Sequence, residues 1–264
     1  MQSLVIGIIA ALAWGVHDVC VRFVSQRVGV NLAYLVVLVS GLVLIGPMAL
    51  VFGDWQTVSA TMIACAMAAG AIYAGAGYCL YRAFSIGPVR LVAPVIGAYP
   101  ILSLAWAAAQ GNVPLPGQMV AALMVIAGVG AGALLTDEES DSAPGSIRQA
   151  MIWALMSMTA FALSFALGQM ASQMGDDWPT MAISRTAAMA VLIVVTLASR
   201  PPPKLTGVPW ALLCFMGLCD ALALGLVIAA GRLPHPEFAA VSASTQALNS
   251  SVLFTLFQVI AGSS

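Results

Sequence analysis

Residues 212–230 read LLCFMGLCDALALGLVIAA, an apolar run with a single charged residue, Asp220, near its middle. A helix that crosses a membrane needs about 20 consecutive, predominantly apolar residues. Similar runs fill the rest of the chain, in which 61% of the 264 residues are hydrophobic and 7% are charged. Soluble domains carry roughly 25% charged residues. The sequence therefore predicts an all-α polytopic membrane protein.

Composition also excludes several other classes of protein. Runs such as 119–135 and 187–198 do not alternate between apolar and polar residues, as the strands of a membrane β-barrel would. The net charge of −1 and the dispersed cations argue against nucleic-acid binding, which needs a clustered basic face. The five cysteines form no CxxC pair, and no nucleophile set, zinc motif or Walker loop is present, so we expect no enzyme, cofactor or metal.

Glycine, proline and charged residues divide the apolar runs into nine predicted spans. The spans lie near 4–24, 31–52, 59–80, 89–109, 117–135, 149–170, 179–198, 208–230 and 238–260. Prolines 47, 94 and 100 are expected to kink spans two and four. The acidic stretch 136–148 is interpreted as a linker between a first repeat of five spans, 1–135, and a second of four, 149–264.

The two predicted halves align with each other at an offset of 147 residues. This offset superimposes spans one to four on spans six to nine, and it pairs Gly70 with Gly217 and Tyr73 with Asp220. Tyr73 and Asp220 are therefore expected to face each other across a pseudo-twofold axis. An odd number of spans per repeat inverts the second copy in the membrane, as in many transporters. At this offset, the counterpart of span five is expected to be missing.

Several short motifs occur in a distinctive order. They are Ala13-Trp14-Gly15 followed by Arg22, Tyr81-Arg82-Ala83 through Gly87-Pro88, Ala98-Tyr99-Pro100, Gly128 to Gly132, and Arg185. In this order they resemble the EamA-like exporters of the drug/metabolite transporter superfamily. The chain departs from the family pattern at Gly111-Asn112, where a Gly-Glu pair is usual, at His17-Asp18, where an asparagine is usual, and in lacking a tenth helix.

The resemblance implies a bundle of helices in the inner membrane around a central cavity that exports small metabolites such as amino acids. Spans one, three, four, six, eight and nine would line the cavity, and a proton gradient is one possible driving force. Orientation stays open. The positive residues follow odd-numbered spans, which places the N-terminus outside, whereas the family usually keeps both termini in the cytoplasm.

Asp220 is the foremost candidate for a functional residue, because an ionised carboxylate at mid-membrane costs at least ~2.5–3.5 kcal/mol. It is interpreted as a counter-ion for a substrate amine or as a proton carrier, with a hydrogen-bonded packing role as the alternative. His17 can titrate near neutral pH. Asp18 is placed to pair with His17 or, four residues on, with Arg22 in a helix-end ion pair.

The remaining candidates are a cation, aromatic rings and amides. Arg185 offers a planar fork to a substrate carboxylate, or alternatively pairs with a loop carboxylate such as Asp176 or Asp177. The rings of Trp14, Tyr73, Tyr78 and Tyr99 suit a cationic or apolar substrate, although most aromatic residues in such a protein serve packing. Gln246 and Asn249 are expected either to contact substrate or to join helices.

The sequence thus predicts a transporter in the lipid bilayer that binds a small-molecule substrate and no nucleic acid. A homodimer is left open. The alternative is a truncated, non-transporting membrane scaffold that needs a partner to supply its tenth helix.

Overall fold

The computed structural model describes residues 2–25, 28–87, 89–109, 111, 120, 123–124, 127, 144–199 and 207–246. The regular structure of these residues is helical, with no strand among them. The helices are α1 (Gln2–Ser25), α2 (Val30–Phe52), α3 (Ala60–Ile86), α4 (Val89–Gly97), α5 (Tyr99–Ala109), α6 (Pro144–Met174), α7 (Asp177–Ala198), α8 (Trp210–Ala229) and α9 (Glu237–Ala243). Single turns of 3₁₀-helix lie at Trp55–Thr57 and Ala230–Arg232.

Six of these helices, α1, α2, α3, α6, α7 and α8, are long and apolar enough to cross a membrane. The prediction of an all-α polytopic membrane protein is therefore confirmed. Large apolar side chains also cover the outer surface, among them Val43, 69% exposed, and Leu197, 80% exposed. In water such a surface would be costly, whereas lipid chains solvate it.

Several boundaries differ from the sequence prediction by a few residues, and α3 and α6 extend furthest beyond their predicted spans. Span three was expected to end at residue 80, but α3 continues to Ile86. The extension holds because Tyr81, Ala83 and Phe84 are buried against neighbouring helices despite the polar Arg82 between them. Most of predicted span five and residues 136–143 of the linker lie outside the described residues, whereas residues 144–148, predicted as linker, belong to α6. Span nine is described only up to Gln246.

Span four is broken into α4 and α5 next to Pro100, whereas α4 is continuous through Pro94. Pro100 has no N–H and cannot continue the α-helical hydrogen bonds from the preceding turn. At the break, the Ala98 N–H donates to the Val95 carbonyl over 3.2 Å and the Ile101 N–H donates to the Ala98 carbonyl over 3.1 Å. In contrast, α2 stays continuous through Pro47, so a break in span two is absent from the structure.

The two halves contact each other through equivalent glycines. A Cβ atom added at Gly70 in α3 would overlap the backbone carbonyl of Ser184 in α7, and one at Gly217 in α8 would lie 2.5 Å from the carbonyl oxygen of Val37 in α2. Gly70 and Gly217 are 147 residues apart, and so are Val37 and Ser184. These reciprocal crossings are what a pseudo-twofold axis between the halves produces, while the boundaries of the repeats stay a prediction.

We expect Gly70→Ala and Gly217→Ala to destabilise the protein, because the added methyl group must push two backbones apart. Overpacking of this kind typically costs ~1–3 kcal/mol. The matched controls are Gly46→Ala and Gly75→Ala, which lie in α2 and α3 with nothing within 4 Å of an added Cβ. Thermal unfolding in detergent measures the difference. Equal melting temperatures for Gly70→Ala and Gly75→Ala would contradict the close helix crossing.

Candidate functional site

A cavity lies where the described helices of the two halves meet. It is lined by Trp14, His17, Asp18, Tyr34, Tyr73, Gly77, Leu80, Tyr81, Tyr99, Phe161, Phe165, Asp220 and Gln246. These residues come from α1, α2, α3, α5, α6, α8 and the end of the described chain. The cavity is narrow in this conformation: its volume of about 20 Å³ is enough for one water molecule.

Asp220 receives three hydrogen bonds from three different helices. Trp14 Nε1 donates to Asp220 Oδ1 over 3.1 Å, and the Tyr73 hydroxyl donates to the same oxygen over 2.5 Å. Arg185 Nη1 donates to Asp220 Oδ2 over 2.5 Å and forms a buried ion pair with it. The expected proximity of Tyr73 and Asp220 is confirmed by this contact. The hydrogen bonds satisfy the carboxylate within the protein.

Arg185 contacts Asp220 but does not itself line the cavity. Its side chain is buried, with 1% exposed, and lies against Gly41, where a Cβ would be 2.7 Å from Nη2. The guanidinium is 6.0 Å from the centre of the Tyr73 ring. Among the described residues, its Nε and Nη2 have no hydrogen-bond partner. In this arrangement Arg185 neutralises Asp220 and has no direct access to a substrate.

The alternative pairing of Arg185 with Asp176 or Asp177 is wrong. Asp176 caps the start of α7 by accepting from the Trp178 N–H over 2.9 Å. Asp177 lies 3.2 Å from Arg232 Nε and also accepts from the Ser172 hydroxyl. Arg185 lies about two turns deeper in α7, where Asp220 is within reach, and the separation of the two residues along the chain gave no sign of this contact.

A second polar cluster joins α1 to α3. His17 Nδ1 lies 3.0 Å from Asp18 Oδ1, and the Tyr81 hydroxyl lies 3.3 Å from His17 Nε2. All three side chains are buried and line the cavity. The alternative pair, Asp18 with Arg22, falls outside the described side chains. The imidazole therefore connects a carboxylate and a phenol, an arrangement that suits proton exchange.

Aromatic rings form the opposite wall, and Phe165 is at their centre. Its ring stacks on Trp14 with 5.4 Å between centroids, and it meets Tyr99 edge-on at 5.3 Å. Phe161 stacks against it at 5.6 Å. Phe161 and Phe165 were not predicted as lining residues. The offset of 147 was the available signal, because it relates Phe161 to Trp14 and Phe165 to Asp18.

Tyr34 and Tyr81 were also not predicted to line the cavity. Tyr34 donates to the Tyr73 carbonyl over 3.1 Å, and its ring fills the space left by Gly77. Span two was not expected to line the cavity, and nothing in its composition marked Tyr34. Of the predicted residues, Gln246 lines the cavity, whereas Asn249 lies outside the described part of the chain.

A bundle of apolar helices around a buried, partly charged cavity defines a class of protein: integral membrane proteins built to pass a solute through the bilayer. The sequence model of the EamA-like transporter family matches residues 1–131. The match covers 131 of the 264 residues and assigns this part of the chain to the EamA-like transporter family, consistent with the drug/metabolite transporter superfamily.

A solved structure has a fold similar to that of this chain. One crystal structure, described only as that of a protein, superimposes with a TM-score of 0.78 at 17% sequence identity. The alignment covers 98% of this chain and 88% of the other. Among curated proteins, none matches this sequence.

We expect Arg185→Gln and Asp220→Asn each to destabilise the protein strongly, since removing one partner of a buried pair leaves an uncompensated charge and costs ~3–5 kcal/mol. The double variant should be more stable than the sum of the single changes implies. Thermal unfolding of all three variants in detergent gives the coupling. Arg82→Gln, at an exposed position of α3, is the control. Additive effects would contradict the ion pair.

Proposed function

We propose that this protein exports a small metabolite, such as an amino acid, across the inner membrane through the central cavity, with proton exchange at the cavity wall. The single observation that supports the proposal best is the presence of two buried carboxylates, Asp18 and Asp220, around one cavity between apolar helices. Charged groups within membrane-spanning segments are costly, and they typically mark substrate or proton pathways.

The network around Asp220 couples the two halves of the molecule. Trp14 and Tyr73 belong to the first half, and Asp220 and Arg185 to the second. A rocking motion of one half against the other must therefore stretch or exchange these hydrogen bonds. Inverted-repeat transporters alternate access by such motions around a site near the middle of the membrane. In this proposal, the hydrogen bonds of Asp220 therefore change when one half moves against the other.

His17 and Asp18 are the better-placed proton carriers. Both line the cavity, whereas Asp220 already holds the guanidinium of Arg185. The imidazole of His17 has a partner on each side, Asp18 on one and Tyr81 on the other. A change in its protonation alters the hydrogen bonds that join α1 to α3.

Substrate binding requires the aromatic wall to move. The cavity holds about one water molecule in this conformation, less than any metabolite occupies. Phe165 packs against four rings, those of Trp14, Tyr73, Tyr99 and Phe161, so its displacement would open the wall. The described conformation is thus closed, and transport needs a wider one.

The proposal is tested with full-length protein in liposomes loaded with unlabelled amino acids and primary amines. Uptake of a labelled mixture of the same solutes is followed with and without a pH gradient. At equal amounts of folded protein, we expect Asp220→Asn to reduce uptake about tenfold or more, because it removes the buried charge that joins the two halves. Asp18→Asn should remove the dependence on the gradient.

Asp54→Asn is the matched control, because Asp54 is exposed in the loop between α2 and α3. It should transport as the unaltered protein does. No uptake of any solute by the unaltered protein, or full uptake by Asp220→Asn, would refute the proposed function.

A further inference from the structure

Two polar atoms in the cavity wall are buried without a hydrogen-bond partner among the described residues. They are the hydroxyl of Tyr99, a side chain 1% exposed, and Oε1 of Gln246, a side chain 6% exposed. Both residues line the cavity. An unsatisfied buried polar group costs free energy, because it has lost its hydrogen bonds to water. A bound polar group in the cavity would remove that cost, so the two atoms indicate a place for a ligand.

The charge of the wall selects the kind of ligand. Asp220 is neutralised by Arg185, whereas the Asp18 carboxylate, within the described part of the chain, contacts the His17 imidazole. Among the lining residues that the structure describes, none is an arginine or a lysine. The wall therefore presents a carboxylate, an amide oxygen and a hydroxyl, all of which accept hydrogen bonds. A positively charged group with several donors complements it.

The size and the aromatic character of the cavity favour an ammonium group. The free space fits one group the size of a water molecule, and a primary ammonium is of that size. The rings of Trp14, Tyr99 and Phe165 line this space, and aromatic rings attract cations through their π systems. Once the rings separate, the same wall accommodates the apolar body of a ligand.

We propose that Asp18, Tyr99 and Gln246 form a recognition site for the protonated amino group of an amphipathic primary amine that lacks a carboxylate. This inference rests on the proposed transport function and narrows its substrate class. An amino acid would bring its carboxylate into a wall that already contains Asp18, with no lining arginine or lysine in the described part of the chain to receive it. Amines are thus preferred over the corresponding zwitterions.

Titration calorimetry on the purified full-length protein in detergent tests the site with three probes of the same shape. The probes are phenethylammonium, neutral 2-phenylethanol and anionic 3-phenylpropionate. We expect phenethylammonium to bind at least about tenfold more tightly than 2-phenylethanol, and 3-phenylpropionate to bind weakest, because hydrogen bonds that involve a charged group are stronger than those between neutral groups. Phenylalanine should bind more weakly than phenethylammonium.

Substitutions locate the site. Tyr99→Phe and Gln246→Leu should each weaken phenethylammonium binding severalfold and leave 2-phenylethanol binding unchanged. Their controls are Tyr78→Phe, whose ring packs on Trp153 away from the cavity, and Gln56→Leu at an exposed position. Gln246→Glu adds a negative charge and should tighten binding of phenethylammonium. This variant tests the same position if Gln246→Leu does not fold.

The inference is overturned if 2-phenylethanol or 3-phenylpropionate binds as tightly as phenethylammonium, or if the Tyr99 and Gln246 variants bind it as their controls do. Its failure is separable from that of transport. Liposomes that carry labelled amino acids, together with no preference for phenethylammonium, reject the amine site and keep the transporter. The expected binding pattern without uptake of any solute rejects the transport function and keeps the site.

Discussion

The buried ion pair between Arg185 and Asp220 is the interaction on which the arrangement of the central helices depends. A carboxylate at the middle of α8 has no water to solvate it, and its energy is acceptable only with donors close by. Those donors come from α1, α3 and α7, so three helices converge on one side chain. Gly41 in α2 leaves the room that the guanidinium occupies. The guanidinium of Arg185 can neutralise Asp220 only because α2 has a glycine at this contact, so the packing of α2 and the neutralisation of Asp220 depend on each other.

Because Arg185 neutralises Asp220, the carboxyl group available for chemistry in the cavity is that of Asp18 in α1. The composition of span eight pointed to Asp220 as the group that meets the substrate, because its isolation in an apolar run is plain in the sequence. The structure provides it with Arg185, Tyr73 and Trp14 as partners, and the charge that faces the cavity then belongs to Asp18. An isolated intramembrane carboxylate in a sequence thus identifies the functional region, whereas its partners decide which group does the chemistry.

The sequence predicted those features that depend on periodicity and composition. Helix content, the break near Pro100 and the contact of Tyr73 with Asp220 followed from the apolar runs, the missing N–H of proline and the offset of 147. The Arg185–Asp220 pair did not follow, because rotation and depth of α7 relative to α8 are set by packing throughout the bundle. Tyr34 was missed for the same reason: its position depends on the space beside Gly77 in another helix.

The two predicted halves differ in chemistry at equivalent positions, and this difference gives the cavity a direction. At the offset of 147, His17 and Asp18 of α1 correspond to Ser164 and Phe165 of α6. Ser164 turns away to donate to the Ala69 carbonyl over 2.9 Å, while Phe165 takes the centre of the aromatic wall. One wall is therefore polar and acidic and the facing wall is aromatic. If the proposed function holds, an amphipathic solute is expected to bind in one orientation, with its polar end at α1 and its apolar body at α6.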